Sequence, residues 1–223
     1  MRAQTVLRSR FIAVLAPLFL LASHGNAQPA SLAVLAAHPL DQRALEVAPD
    51  WNHKFRVVSS TFENNGPIPA SMVFNGQLGS NCTGGNQSPQ LSWTRAGRGV
   101  RSYAVTLFDV TANFAHWGAY NIPPDTTELN AGAGDPANAS LQQVYNDAFL
   151  LGYSGPCPPP DLVPNGSHFY VFTVYALDKM LDLTPSPDFP PYADGLYRAM
   201  IGHVIDQASI TGIFRCADAS SCQ

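Results

Sequence analysis

Four side chains have the types needed to hold a small charged ligand: Asp109, His116, His168 and Tyr170. Two imidazoles and a phenol offer N–H and O–H donors, and the carboxylate offers acceptors. Such donors suit a phosphate and the carboxylate suits an amine, so the set fits a small anion or a zwitterionic headgroup. Position matters as much as type. Asp109 closes the apolar run 102–109, His116 opens the run 116–122 after a short turn, and His168 and Tyr170 open the run 168–178. If the first two runs pair as a hairpin and the third lies beside them, all four side chains meet at one sheet end. Each imidazole taken singly would serve equally well to satisfy a turn carbonyl. Both ordinarily titrate near neutrality, so anion affinity is expected to rise as the pH falls from about 8 to about 6.

Other chemistries find little support. Gly152-Tyr153-Ser154-Gly155 has the wrong spacing for a nucleophile elbow. The chain carries no H-E-x-x-H, no phosphate-binding glycine loop and no G-x-G-x-x-G. Asp109 with His116 is an acid–base pair on paper, and Asp109, His116 and His168 a metal set. The metal spacing is long and no third histidine is placed, so neither a catalytic residue nor a cofactor is expected. His203 falls on the helix predicted over 194–208 and reads as structural or surface-facing.

The elements that must position these residues are β-strands. Runs 55–60, 90–94, 102–110, 116–122, 168–178 and 208–214 are β-branched and aromatic, bounded by turn residues. In 102–108 both faces are largely apolar, as in a strand covered on two sides. The segments 64–69, 79–89 and 154–167 are interrupted by Pro and Gly and read as loops. One helix is predicted, over 194–208, where Leu196, Met200 and Val204 recur every four residues.

Length and composition agree. The 223 residues include 17 Gly and 19 Pro, and only 13% are charged. That suits one loop-rich, mostly β domain rather than a helical bundle or a disordered chain. Residues 1–27 read as a secretory signal. Arg2, Arg8 and Arg10 precede the apolar run 11–22, which is short for a bilayer span, and small residues precede a cleavage point after Ala27. Residues 28–50 read as a linker or N-terminal extension, and 51–223 as the domain. Cleavage would leave nine basic residues against 16 acidic ones, a net charge of −7, with no polybasic patch for lipid or nucleic acid. The expected product is exported, periplasmic or secreted, with no stable membrane anchor after signal cleavage.

Cys82, Cys157, Cys216 and Cys222 all lie in the mature part, an even number in an oxidising compartment. Cys216 and Cys222 can reach each other locally, which would leave Cys82 with Cys157. Sequence alone allows three pairings.

Several phrases occur in order and carry a resemblance: Gly85-Asn86-Gln87-Ser88-Pro89-Gln90-Leu91-Ser92-Trp93, the run 102–109, His116-Trp117, Asn121-Ile122-Pro123, Gly152-Tyr153-Ser154-Gly155-Pro156-Cys157-Pro158-Pro159, His168-Phe169-Tyr170 and Tyr175-Ala176-Leu177-Asp178. Over about 55–215 the chain resembles the phosphatidylethanolamine-binding protein family, in its bacterial Raf-kinase-inhibitor-like branch. The resemblance implies a mainly β fold: an antiparallel Greek-key β-sandwich of two sheets with a few peripheral helices. It implies an anion pocket of Asp109, His116, His168 and Tyr170, with the loop Gly155-Pro156 as one wall. It also supports a Cys82–Cys157 bridge. Two departures stand out. The family's pocket strand usually ends Asp-Pro-Asp followed by Ala-Pro, whereas this chain reads Asp109-Val110-Thr111-Ala112-Asn113, so the rim is remodelled. Phe169 replaces a usual Arg and, in a strand, points away from His168 and Tyr170. An insertion over 160–166 would cover or narrow the site.

Three functions follow as expectations. The foremost is an exported protein binding a small anionic or phosphorylated ligand, with a possible protein partner. A protease or host-protein inhibitor acting through surface loops is the alternative. An acid–base or metal-dependent hydrolase comes last.

Overall fold

The run 102–109 is apolar on both faces, and the fold buries both. A computed structural model describes residues 55–78, 81–159, 166–183 and 191–216. The signal segment, the linker, the boundary near residue 51, Cys222 and the insertion 160–165 lie outside the described residues. The elements are β1 (Val57–Val58), β2 (Gly66–Pro67), β3 (Asn75–Gln77), β4 (Asn81–Thr83), β5 (Leu91–Trp93), β6 (Ser102–Asp109), β7 (Phe114–Ile122), β8 (Glu128–Leu129), β9 (Gln142–Gln143), β10 (Ser167–Leu177), α1 (Ala193–Met200) and β11 (Val204–Arg215). No described helix is long and apolar enough to cross a membrane.

The principal sheet has six strands in the order β2-β11-β10-β6-β7-β9; a second has three, β1-β5-β8; β3 and β4 form a separate ribbon. Within the large sheet, β6 and β7 form the expected hairpin, and β10 returns beside β6 instead of beside β9. The order β10-β6-β7-β9 is that of a Greek key. Its pairs are antiparallel; only β11 with the short β2 is parallel.

Alternation along the strands divides the core in two. Tyr103, Val105 and Leu107 of β6, with Trp117, Tyr170, Phe172 and Val174, face Val57, Leu91, Trp93 and Leu129 of the three-stranded sheet. Ala104 and Phe108 point the other way, onto Leu196, Tyr197 and Met200 of α1 and onto Tyr175 and Leu177. Every residue of β6 is buried.

The helix is shorter than its spacing predicts. It runs Ala193–Met200, and Val204 and Ile205 belong to β11 instead. Its C-cap is Ile201, followed by Gly202 at φ 78°, the left-handed conformation that ends helices and that glycine adopts without strain. The apolar spacing continued past Gly202 only because a half-buried strand also places apolar residues there. Among the described residues α1 is the one α-helix, where a few were expected. His203 lies in the turn before β11, its Nδ1 2.9 Å from Asp178, both partly exposed.

Leu196 has no exposed surface and seats α1 on the sheet. Leu196→Ala should lower unfolding stability by about 2–5 kcal/mol. Urea denaturation should show this as a lower midpoint with an unchanged slope, the strand core remaining intact.

Candidate functional site

Strand register brings the four predicted residues together. Asp109, the last residue of β6, pairs with Tyr170 of β10 on one side and Phe114 of β7 on the other. His168 lies two residues before Tyr170 and therefore on the same face. Both side chains are buried, while the intervening Phe169 is 42% exposed and points away, as expected.

Asp109 is surrounded by donors. Its Oδ2 lies 2.6 Å from His168 Nδ1, and each side chain is 1% exposed. Its Oδ1 accepts the N–H groups of Thr111 at 2.9 Å and Ala112 at 3.2 Å. Both oxygens are engaged inside the protein, with three of about four acceptor sites in use, which leaves one for a ligand amine. The turn itself closes through Asn113 at φ 54°. Its departure from the family pattern has a structural use. The Val110 N–H donates to the Phe169 carbonyl, and Thr111 Oγ1 accepts the Phe169 N–H, both at 3.1 Å. Proline at 110 would lack that N–H. The remodelled rim extends the ladder between β6 and β10 by one step.

His116 reaches the same face by a β-bulge. Leu107 pairs with Trp117 but Phe108 with Ala115, so His116 is the extra residue. Trp117 and Ala119 face the inter-sheet core and Ala115 the helix side. Strict alternation would send His116 toward the helix. The bulge turns it instead beside Tyr170, with ring centroids 5.2 Å apart, and beside Phe114, at 4.8 Å. Nothing in the sequence announces this shift.

The His116 Nδ1–H donates to the Ser154 carbonyl at 2.9 Å. A carbonyl can only accept, so the proton sits on Nδ1 and the neutral ring keeps a lone pair on Nε2. Asn146 braces this corner, its amide donating to the His116 and Gly152 carbonyls and to Ser154 Oγ. Ser154 and Asn146 were not singled out from the sequence; Asn146 has no motif around it. Complete burial lowers the His116 pKa from 6.5 to about 4; His168 acts in the same direction, while Asp109 and the Ser154 bond act against it. This corrects the expectation that both imidazoles titrate near neutrality. Burial, and after it the charge of Asp109, pushes the Tyr170 hydroxyl well above the usual phenol range, so it remains a donor.

These side chains line a cavity of about 240 Å³, closed by Leu78, Phe114 and the segment Cys157-Pro158-Pro159. The wall differs from the one expected. Gly155 and Pro156 do not line the cavity; they anchor the wall from behind. The Gly155 N–H donates to Asn86 Oδ1 at 2.8 Å, and the Pro156 carbonyl accepts from Phe74 N–H at 3.0 Å. A Cβ on Gly155 would lie 1.9 Å from the Met72 carbonyl oxygen, so only glycine permits this approach. Cys157 is bonded to Cys82, with Cα atoms 6.0 Å apart, which ties the wall to β4. Cys216 is buried at the end of β11; its suggested partner, Cys222, lies outside the described residues. Among the described residues no group of three or more His, Cys, Asp or Glu is arranged to hold a metal ion.

A Greek-key sandwich with a small pocket at one sheet end, where four polar side chains meet, matches a known family. Residues 58–215 match the family described as phosphatidylethanolamine-binding protein, and the chain belongs to it. A UPF0098 protein of Methanothermobacter thermautotrophicus is 38% identical over 159 residues, 69% of this chain and 94% of the relative. The crystal structure of Escherichia coli YbcL, titled a new member of the mammalian PEBP family, superposes with a TM-score of 0.62 at 30% identity, covering 73% of this chain and 98% of that one. A putative lipoprotein, LppC of Mycobacterium tuberculosis, is 30% identical over 165 residues, 71% of either chain.

Two outcomes follow from this geometry. The unfolded chain protonates residue 116 near pH 6.5 and the folded protein only near pH 4. The unfolded state therefore binds more protons in that window, and stability falls as the pH drops through it, by about 3 kcal/mol in all. In His116→Gln this part of the pH dependence should vanish, and ¹⁵N imidazole spectra of the native protein should show His116 neutral at pH 6. The bridge closes a loop with a sequence separation of 75. Replacing both cysteines by Ser should cost roughly 4 kcal/mol, read as a lower denaturation midpoint.

Proposed function

We propose that this chain is an exported binding protein that holds a small oxyanion, such as phosphate or a phosphorylated headgroup, in the Asp109/His116/His168/Tyr170 pocket. One observation carries the reading. His168 Nε2 and the Tyr170 hydroxyl are buried without a partner at full hydrogen-bond geometry, the hydroxyl having only the Asp109 carboxylate as its charged neighbour, and both residues line the cavity. A buried polar atom left unsatisfied costs about 1–3 kcal/mol, and two on one small cavity are accounted for by a ligand that satisfies them. With Asp109 behind it, a protonated His168 is a charge-assisted donor, and Tyr170 adds a second.

We read the site as one for binding and not for hydrolysis. Ser154 Oγ lies 3.5 Å from His116 Nδ1, but that nitrogen already donates its N–H to the Ser154 carbonyl and has no lone pair to act as base. Export is supported by the signal-like segment 1–27, by the Cys82–Cys157 bridge and by the lipoprotein name of one relative.

Titration calorimetry with phosphate and phosphoethanolamine tests the assignment. The wild type should bind, and Tyr170→Phe, which keeps the ring and removes the donor, should bind about tenfold more weakly or worse. Equal binding by the two proteins, or no heat from the wild type, would overturn it.

A further inference from the structure

Resting on that reading, we propose that the pocket takes phosphate in a form that still carries a proton, inorganic phosphate or a phosphomonoester, in preference to sulfate or a phosphodiester. The inference comes from a nitrogen whose role the geometry decides. His116 spends its only proton on the Ser154 carbonyl. Its Nε2 is left as the ring's other polar atom, a lone pair on a residue that lines the cavity. An anion seated there presents oxygens. A fully ionised one sets lone pair against lone pair, and a hydroxyl-bearing one donates.

Asp109 and Tyr170 cannot take over this role, and His168 could do so only with its ring neutral. Asp109 already accepts from Thr111, Ala112 and His168. Tyr170 is held in its protonated form and donates. His168 Nδ1 faces Asp109, so its Nε2 serves an anion as an N–H donor when the ring is charged. Protonating His116 would remove the conflict, but burial opposes that until about pH 4. The pocket therefore pairs donors for the ligand's bare oxygens with one acceptor for its P–OH.

The distinction separates two sources of the same phosphate chemistry. A phosphomonoester has a second ionisation near pH 6 and carries a proton there in part. The phosphodiester of a membrane lipid has no such proton, so an intact lipid headgroup is disfavoured even though its charge is lower.

Calorimetry at pH 6 with phosphate, methyl phosphate, dimethyl phosphate and sulfate tests this. The first two should bind at least about tenfold more tightly than the last two, the margin one mispaired polar contact in the pocket produces. In His116→Gln, whose amide can turn a donor to the ligand, the margin should collapse. Comparable affinity for all four anions in the wild type would overturn the proton requirement and leave the anion pocket standing. Binding of none would overturn both. A margin that survives in His116→Gln would overturn the role of His116. Should that variant fail to fold, the ¹⁵N resonance of His116 Nε2 in the wild type decides. A shift on phosphate binding but not on exposure to sulfate supports the inference, and no shift with phosphate overturns it.

Discussion

The antiparallel pairing of β6 with β10 is the constraint on which the site rests. Its register sets Asp109 directly opposite Tyr170, and a two-residue step along β10 then delivers His168 to the same carboxylate. Burying a carboxylate and an imidazole is costly unless each is compensated, and here the compensation is local. The hairpin turn supplies two N–H groups, and the imidazole supplies the third hydrogen bond. A slip of one residue between these strands would place Asp109 against Phe169 or Val171 and remove His168 from reach. The same register is enforced far from the pocket by two cores, since β6 is filled on one face by the opposing sheet and on the other by α1.

Around that pair, polarity is divided. Burial holds His116 neutral and the Ser154 carbonyl fixes its proton on Nδ1, while Asp109 accepts the Nδ1–H of His168. Two histidines flanking Tyr170 thus line the cavity in different roles, one as acceptor and one as donor when charged. The protein separates them by what lies behind each ring, a carbonyl in one case and a carboxylate in the other. Residue type alone does not carry that difference.

Much of this was legible in the sequence because strand ends are marked by composition. Asp109, His116, His168 and Tyr170 were found from apolar runs and their boundaries, and their meeting point from the assumption that those runs pair. What escaped were features set by backbone geometry. The bulge at His116 is a one-residue change of pairing with no residue signature. The helix end at Met200 was obscured by apolar spacing that continued into β11, although Gly202 was a readable stop signal. The wall was placed at Gly155-Pro156 because those residues are distinctive; their role is to lie against the Met72–Phe74 backbone, and the next three residues face the cavity. The titration of His116 depends on burial, which spacing does not reveal.

The Cys82–Cys157 bridge also divides the chain in a way the pocket crosses. Asp109 and His116 lie inside the covalently closed segment, and His168 and Tyr170 lie beyond it. The site is therefore shared between a ring of chain and a tail of chain, joined across the β6–β10 seam. A single backbone cut within the ring, for instance at the exposed residues 135–137, leaves one covalent molecule with every pocket residue still attached. A cut between Cys157 and His168 leaves the ring whole but makes the two halves of the pocket separate molecules, held together only by strand pairing and packing.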